Sequence, residues 1–438
     1  YQSVDGQELI QHIDLLDLNP NNGNNTMTSK ETTFALLPTT AAEAATTTSI
    51  SITTTKNSAV TPTTKISTSS SKSTLTTTAD IHVALRQAIH RLQLKLREPT
   101  KKKFYLFKCL RSHILPLTNV CFDRTGDRCL TGSYDRTCRI INTHSAKEEH
   151  ILGEHDNVVF SVGFNFPKCD KIVTASFDAT AKVWNSSTGS CLNTFHGHTA
   201  ELVAAEFNPF HASTIVTASM DGTARIFHVE TGQELHTLEF HGAEVIASRF
   251  NREGNLLLTG SFDRTAVIWD NRSIVAQLHK HTAELSNCIW NFDCQLIATA
   301  SLDSTACVWD MRRLDKSLFL ITDHRDEVLD IAFDFTGRLL TTGSSDCTAR
   351  VWSVHGELNL VSLLLGHTDE VSKVCFSPPG GMVMTASADH TARLWLTDSG
   401  ICSQVLSGHD SDVFSCAFSY AGDVIITASK DNTCRLWR

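Results

Sequence analysis

The chain has 438 residues, a net charge of −9 at pH 7 and a sequence pI of about 6.1. This acidic balance argues against a protein that neutralises nucleic-acid phosphates, and no apolar run is long enough to span a bilayer. The 14 cysteines include no C-x-x-C pair, so we interpret them as small buried apolar residues in a reducing compartment rather than as a disulfide framework. The chain begins at Tyr1 rather than Met, and we expect its natural N-terminus to lie upstream.

Two segments of different composition come first in the chain. Residues 1–25 form a short leader motif with an apolar and acidic run at 13–18. Residues 26–79 are rich in Thr and Ser and have few charged or aromatic residues. A segment of this kind buries too little apolar area to offset its ordering entropy. The composition therefore predicts a low-complexity, disordered segment.

Residues 80–100 carry an apolar stripe at helical spacing, which predicts an amphipathic helix. The stripe consists of Ile81, Leu85, Ile89, Leu92 and Leu96. The helix would either pack on its own domain or act as a coiled-coil or partner-docking helix. Because the stripe lasts less than three heptads, packing on its own domain is favoured.

From residue 113 onwards, one pattern occurs eight times at intervals of 40–43 residues. Each copy has a Ser-x-Asp tripeptide, and a His precedes the Asp by 22 or 23 positions. The Asp residues are Asp135, Asp178, Asp221, Asp263, Asp303, Asp346, Asp389 and Asp431. The His residues are His113, His155, His198, His241, His281, His324, His367 and His409. A period of this length predicts a repeat architecture.

A complete copy contains four short strand patterns joined by turn-forming residues. In the fourth copy these patterns are 245–250, 256–261, 265–269 and 274–278. Four short strands with short connections form a meander, which is the blade of a propeller. The sequence therefore predicts an all-β, eight-bladed β-propeller over residues 104–438.

The strand pattern at 104–110 belongs to none of the eight copies, and the eighth copy ends after its third strand. We predict that this pattern supplies the missing outermost strand of the last blade. Such a latch removes the open sheet edges at the junction of the ring. We expect the closed ring to be a monomer.

The His, Ser-x-Asp and Trp spacing resembles that of the WD-repeat family. The Trp follows the Asp by six residues in six copies, and Ile141 and Phe227 replace it in the first and third. The resemblance implies that His, Ser, Asp and Trp form a buried hydrogen-bond chain in each blade, and that the two blades without Trp are less tightly tied. We expect these networks to include Ser176, Asp178, Trp184, His198, Ser261, Asp263, Trp269, His367, Ser387, Asp389, Trp395, His409, Ser429, Asp431 and Trp437.

Recurring Ser, His and Asp residues could also indicate a hydrolase. A catalytic triad requires one exposed site with an oxyanion pocket, whereas this trio occurs eight times and no G-x-S-x-G motif is present. His279 and His281 lack further ligands at metal-binding spacing, and no G-x-x-x-x-G-K-[ST] loop occurs. We therefore expect no enzymatic activity, metal or cofactor.

Two sets of residues are candidates for partner binding. An acid follows the His by three positions in six copies: Glu201, Glu244, Glu284, Glu327, Glu370 and Asp412. These acids would either gather at the channel mouth and attract a basic segment, or pair with strand arginines such as Arg225, Arg350, Arg393 and Arg435. The residue before the turn Asp is bulky in several copies, including Tyr134, Phe177 and Phe262. These bulky residues would form an interaction patch if they are exposed, or ordinary turn packing if they are buried.

Within the WD-repeat family, the chain resembles the ciliary dynein assembly factors, also called outer row dynein assembly proteins. The resemblance rests on residues 13–18, 91–96, 104–108, 113–120, 132–138 and 430–435. It implies a cargo adaptor that couples outer-arm dynein to a complex B subunit of the intraflagellar transport train. The expected locations are the cytoplasm, the cilium or flagellum and its basal body. The alternative is a general WD-repeat scaffold, such as a ubiquitin-ligase substrate receptor or a signalling hub.

Overall fold

A computed structural model describes residues 103–270 and 273–438, together with three short strands nearer the N-terminus. The chain divides into two units, Tyr1–Pro99 and Thr100–Arg438. In the first unit, β1 (Thr33–Phe34), β2 (Ile50–Thr53) and β3 (Lys65–Ser67) form an antiparallel sheet in that order. All three strands lie within residues 26–79, the segment for which the sequence predicted disorder and no strands. The rest of that segment, the leader and the predicted helix lie outside the described residues.

The second unit consists of eight four-stranded antiparallel sheets, which confirms the predicted eight-bladed, all-β propeller. Blade 1 contains β5 (Leu117–Phe122), β6 (Arg128–Ser133), β7 (Cys138–Asn142) and β8 (Lys147–Leu152). Blade 2 contains β9 (Val159–Phe164), β10 (Lys171–Ser176), β11 (Ala181–Asn185) and β12 (Cys191–Phe195). Blade 3 contains β13 (Leu202–Phe207), β14 (Thr214–Ser219), β15 (Thr223–His228) and β16 (Glu234–Glu239). Blade 4 contains β17 (Val245–Phe250), β18 (Leu256–Ser261), β19 (Thr265–Asp270) and β20 (Ser273–His279).

The remaining blades repeat this order. Blade 5 contains β21 (Leu285–Trp290), β22 (Leu296–Ser301), β23 (Ala306–Asp310) and β24 (Phe319–Ile321). Blade 6 contains β25 (Val328–Phe333), β26 (Leu339–Ser344), β27 (Ala349–Ser353) and β28 (Asn359–Leu364). Blade 7 contains β29 (Val371–Phe376), β30 (Met382–Ser387), β31 (Ala392–Leu396) and β32 (Cys402–Leu406). Blade 8 contains β33 (Val413–Phe418), β34 (Ile425–Ser429), β35 (Cys434–Trp437) and β4 (Leu106–Leu110).

The first strand of each blade is innermost, because it packs against the first strands of the two neighbouring blades. Consecutive strands run antiparallel, so the loop before the first strand and the turn between the second and third strands lie on the same face. We call it the turn face. It carries all eight His loops and all eight Ser-x-Asp turns.

Apolar side chains fill the spaces between blades. The second strands are buried at almost every position, as in β10, because neighbouring blades cover both faces of each sheet. Trp184 of blade 2, for example, packs in one cluster with Leu130 and Ile140 of blade 1. All 14 cysteines are free thiols, and half of them are fully buried.

The segment for which a latch was predicted supplies β4 at the outer edge of blade 8. It pairs with β35, with Leu110 opposite Cys434 and Leu106 opposite Trp437. The preceding Phe104 is only 1% exposed and packs edge-on against Phe418. Blade 8 is therefore built from both ends of the propeller segment.

Candidate protein-binding site

A chain of hydrogen bonds crosses the interior of blade 4. The indole Nε1–H of Trp269 donates to Thr259 Oγ1 at 2.9 Å, and Thr259 Oγ1 lies 2.8 Å from His241 Nε2. The other ring nitrogen, His241 Nδ1, lies 2.8 Å from Asp263 Oδ2. One assignment of protons uses every group: Trp donates to Thr, Thr donates to a neutral His, and His donates to an ionised Asp.

The Asp at the end of this chain accepts further hydrogen bonds. Asp263 Oδ1 accepts from the Thr265 hydroxyl at 2.6 Å and from the Thr265 backbone N–H at 2.9 Å. Oδ2 also accepts the backbone N–H of Gly242 at 3.1 Å. The carboxylate thus joins the His loop to the turn on the same face.

The charge states follow from burial and these hydrogen bonds. Burial by itself raises the pKa of the Asp carboxyl groups, but hydrogen bonds from Thr and His outweigh it and lower the pKa of Asp221, Asp346 and Asp431 to about 2. Burial also disfavours the imidazolium, and it lowers the pKa of His198, His241, His281, His324 and His409. Both shifts agree with ionised Asp and neutral His.

The position predicted for Ser in this chain is taken by a different residue. In all eight blades the hydroxyl next to His Nε2 belongs to a Thr: Thr131, Thr174, Thr217, Thr259, Thr299, Thr342, Thr385 and Thr427. Ser261 instead accepts the backbone N–H of Asp263 at 3.0 Å and donates to Ala243 O at 3.1 Å. The predicted Ser therefore fixes the turn, while the Thr connects Trp to His.

Strand register explains this difference. Trp269 lies opposite Leu257, and Thr259 is two residues further along the same face of β18, within reach of the indole. Ser261 lies two residues beyond that, at the end of the strand. The sequence contained the signal, because a Thr precedes every turn Asp by four residues.

The other predicted network residues occupy equivalent places in their own blades. Trp184, Trp395 and Trp437 donate to Thr174, Thr385 and Thr427. His198, His367 and His409 bond Asp221, Asp389 and Asp431. Ser176, Ser387 and Ser429 accept the backbone N–H groups of Asp178, Asp389 and Asp431.

Blades 1 and 3 lack the indole donor but keep the rest of the network. His113 and His198 each lie 2.8 Å from their Thr hydroxyl and 2.8 Å from their Asp. Ile141 and Phe227 fill the Trp position and are fully buried. The substitution thus removes one hydrogen bond per blade.

The network residues leave no room for a substrate. All eight Ser residues of the turns are 0% exposed. Each Ser hydroxyl already donates to a backbone carbonyl, as Ser261 does. Within the described ranges, no group of three or more His, Cys, Asp or Glu residues could hold a metal ion. The same residues include no helix with the length and apolarity to cross a membrane.

The two sets of candidate binding residues are direct neighbours on the turn face. The backbone carbonyl of each acid accepts the N–H of the residue before the turn Asp in the same blade. Phe262 N donates to Glu244 O at 2.9 Å, and Met220, Leu302, Ser345, Ala388 and Lys430 bond Glu201, Glu284, Glu327, Glu370 and Asp412 in the same way. Tyr134 and Phe177 bond Pro116 and Val158, which hold the acid position in blades 1 and 2.

The strand arginines considered as partners of these acids bind elsewhere. Arg225 pairs with Glu234 at 2.6 Å, Arg350 and Arg393 approach the turn Asp of their own blades, and Arg435 donates to Gly408 O. Among the described residues, Asp412 is the one candidate acid in an ion pair, with Lys430 at 3.0 Å, and its carboxylate also lies 3.8 Å from His390 Nε2.

The acids of neighbouring blades lie close enough to repel one another. The pKa of Glu370 is raised by partial burial and by the charges of Asp369, Asp412 and Glu327. These acids come from blades 6, 7 and 8. The negative charges of these three blades therefore act on one another, and among them only Asp412 has a cationic partner, Lys430, within the described residues.

The bulky turn residues differ in exposure. Tyr134 is 42% exposed, Phe262 is half-buried, and Phe177 stacks on Phe160 with ring centroids 5.2 Å apart. Ile114 and Leu115 are exposed on the loop before β5, and the hydroxyl of Ser133, the residue before Tyr134, donates to Leu115 O at 3.1 Å. Sequence reasoning missed Ile114, Leu115 and Phe160. The signal for the first two was their place directly after His113, where other copies have polar or small residues.

Comparison with known proteins identifies the fold family. Eight segments match the family model described as "WD domain, G-beta repeat": 105–142, 146–185, 189–228, 232–270, 272–310, 315–353, 358–395 and 400–438. The chain belongs to this family. Each WD repeat contains the outermost strand of one blade and the three inner strands of the next, so the repeat 105–142 supplies β4 to blade 8 and β5, β6 and β7 to blade 1.

Curated relatives match a shorter stretch of this WD-repeat protein. "Dynein assembly factor with WD repeat domains 1" of Mus musculus is 50% identical over 95 residues, which are 22% of this chain and 23% of the relative. The Danio rerio protein of the same name is 51% identical over 84 residues, 19% and 20% of the two chains. The Homo sapiens protein is 47% identical over 95 residues, 22% and 23%. The matched stretch thus spans less than a quarter of these relatives.

A solved structure shows the same fold. It is the "Crystal structure of the computationally designed Ika8 protein: crystal packing No.1 in P63", which matches with a TM-score of 0.66 and 24% identity. The match covers 74% of this chain and 96% of the designed chain. At this identity the likeness concerns the propeller fold alone.

Proposed function

We propose that this WD-repeat propeller is a non-catalytic, monomeric scaffold for dynein assembly. In the finer form of the proposal, it is a cargo adaptor that couples outer-arm dynein to a complex B subunit of the intraflagellar transport train. It would act in the cytoplasm, at the basal body and in the cilium or flagellum. The observation that carries the proposal is the 50% identity with the mouse dynein assembly factor over 95 residues.

The distribution of polar groups supports a binding role. The His, Thr, Ser and Asp groups that recur in every blade are buried and hydrogen-bonded to one another, so they stabilise the blades. The groups exposed on the turn face include acids without strand partners and apolar side chains. Exposed apolar residues bordered by charge are typical of protein-interaction surfaces.

The test is recovery of partners from ciliated cells. The full chain carrying an affinity tag is expressed and purified under mild conditions, and bound proteins are quantified against tag alone. We expect outer-arm dynein heavy chains and complex B subunits to be enriched together. Recovery of cullin adaptors or of no ciliary proteins would instead support a general WD-repeat scaffold and contradict the proposal.

A further inference from the structure

The turn face carries an apolar surface on blades 1 and 2. We call Ile114, Leu115, Tyr134, Phe160 and Phe177 the apolar sector. Ile114 is 78% exposed, Tyr134 42% and Phe160 38%. The two blades are in direct contact here, because Thr118 Oγ1 of β5 donates to Val159 O of β9 at 2.6 Å. The sector therefore spans two adjoining blades and is carried by their first strands, His loops and turns.

The remaining six blades present an acidic surface on the same face. We call the acids at the equivalent position the acidic arc: Glu201, Glu244, Glu284, Glu327, Glu370 and Asp412. The same His loops add Asp323, Asp326, Asp369 and Asp410, so the charge is densest on blades 6 to 8. The loops and turns of this face also carry the cations Arg111, Arg136, Arg264, Lys280, Arg325 and Lys430. Of these, Lys430 alone forms an ion pair with a member of the arc among the described residues.

The two surfaces replace each other at the acid position and at the turn position, while the His loop of blade 2 also carries exposed Glu154 and Asp156. Where the arc is interrupted, Pro116 and Val158 hold the acid position, and aromatic Tyr134 and Phe177 hold the turn. The junction between the surfaces is tight, because the Asn432 side chain of blade 8 donates to Ile114 O at 3.0 Å. One ligand lying across the centre of the turn face would therefore contact both the apolar sector and the acidic arc.

We propose that the turn face binds a basic, amphipathic segment of a partner protein. Its apolar residues would contact the apolar sector, and its Lys and Arg residues would face the acidic arc. The inference names the chemistry of the partner's segment and rests on the proposed scaffold function. Charge complementarity selects this occupant, because the arc repels acidic segments and a second copy of the same face.

The test uses a defined probe. A fluorescent 20-residue peptide with a Leu- and Phe-rich half and a Lys-rich half is titrated with the full chain at two salt concentrations. Its controls are a peptide with Lys replaced by Glu and one with Leu and Phe replaced by Ser. We expect the parent peptide to bind about tenfold or more tightly than either control, which corresponds to about 1.4 kcal/mol. Added salt should weaken the binding.

Two sets of variants locate the site. The triple charge reversal Glu284→Lys, Glu327→Lys and Glu370→Lys should weaken peptide binding at least about tenfold, and so should Ile114→Ser with Tyr134→Ser. The matched controls are exposed residues on loops of the opposite face and on the rim: Glu253→Lys with Glu357→Lys, and Ile401→Ser. These should bind as the unchanged protein does. Equal binding by the triple reversal, or by either control peptide, would overturn the inference.

The same variants separate this inference from the proposed function. If the triple reversal still recovers dynein heavy chains from cell extract, the partner binds elsewhere, so the inference is wrong and the function stands. If the peptide binds as expected but no form of the protein recovers dynein, the dynein role is wrong and the recognition of a basic segment stands.

Discussion

Tyr105 and Arg438 exchange two backbone hydrogen bonds, with N–O distances of 2.7 Å from Tyr105 N and 2.9 Å from Arg438 N. They extend the pairing of β4 with β35 by one residue, so the first strand of the first WD repeat and the last strand of the eighth share a sheet. The Gln404 side chain of blade 7 also accepts the backbone N–H of Phe104 at 2.9 Å and donates to its carbonyl. The ring is thus closed by backbone pairing within one blade and by a clasp between two blades.

Removing the latch should destabilise the whole propeller. A form that begins at Arg111 lacks β4 and exposes the edge of β35, so we expect its thermal unfolding midpoint to fall in a single transition that involves all blades. A form that begins at Phe104 is the control and should unfold as the full chain does. Unfolding of the shorter form at the same temperature as the control would contradict the latch.

A point substitution tests the same contact more gently. Phe104→Ala removes a buried ring and should cost about 3–5 kcal/mol of unfolding free energy. The adjacent Tyr105→Ala removes a side chain that is 68% exposed while keeping the backbone pairs, and it should change stability by less than about 0.5 kcal/mol. Urea unfolding of the two variants measures the difference.

Neighbouring threonines in blade 6 distinguish a bonded hydroxyl from an unbonded one. Thr342 Oγ1 bonds His324 Nε2 at 2.6 Å and accepts the Trp352 indole N–H at 3.2 Å. Thr342→Val leaves His324 Nε2 and the Trp352 indole N–H without this partner, and it should lower the unfolding free energy by about 1–3 kcal/mol for each of these two buried groups. Thr341 is equally buried, but its hydroxyl has no partner among the described residues, so Thr341→Val should be neutral or slightly stabilising.

Blade 3 supplies an intermediate case for this prediction. Phe227 replaces the Trp there, so Thr217→Val leaves only His198 Nε2 without its hydroxyl partner. We expect a loss smaller than that of Thr342→Val and larger than that of Thr341→Val. Chemical denaturation of the three variants gives the order, and equal losses at positions 341 and 342 would refute the assigned network.

Stability should decrease as the solution becomes acidic, in two stages. Because burial lowers the pKa of five network His residues, such as His324, the unfolded chain takes up protons below about pH 6.5 that the folded chain refuses. The unfolding free energy therefore falls as pH drops below that value. A second loss follows from about pH 4 downwards, since Asp346 has a folded pKa of about 2. Urea unfolding midpoints between pH 8 and pH 4 test the first stage, and a maximum near pH 5 would contradict it.

The hydroxyl residue that bonds the network His was only partly predictable from the sequence. The periodic His, Asp and Trp residues located the network in every blade, and Asp263, His241 and Trp269 all belong to it. Choosing Ser261 rather than Thr259 as the link was wrong, because two hydroxyls on one strand face differ only in their distance along the strand. That distance has meaning only once the register of Trp269 against Leu257 is known.

The acids provide a second example. The spacing after each His identified Glu244 and Glu370 as equivalent acids, and the structure places both beside the turns of their blades. It left open whether they paired with strand arginines, because side-chain reach and direction do not follow from spacing. In the fold, Arg225 turns to Glu234 on its neighbouring strand, so it does not neutralise the candidate acid Glu201 of its own blade.

The number and order of the blades were determined by the sequence, because nearly every strand pairs with its neighbour in the chain and short connections leave one antiparallel arrangement. The latch was also predictable from the number of strands, because the eighth copy lacked a fourth strand and the strand pattern at 104–110 belonged to no copy. The tertiary structure alone decided that Ile114, Phe160 and the acids of six distant repeats share one face with little neutralisation. Such proximity depends on how the ring closes and on side-chain orientations across blades, which no local pattern of residues encodes.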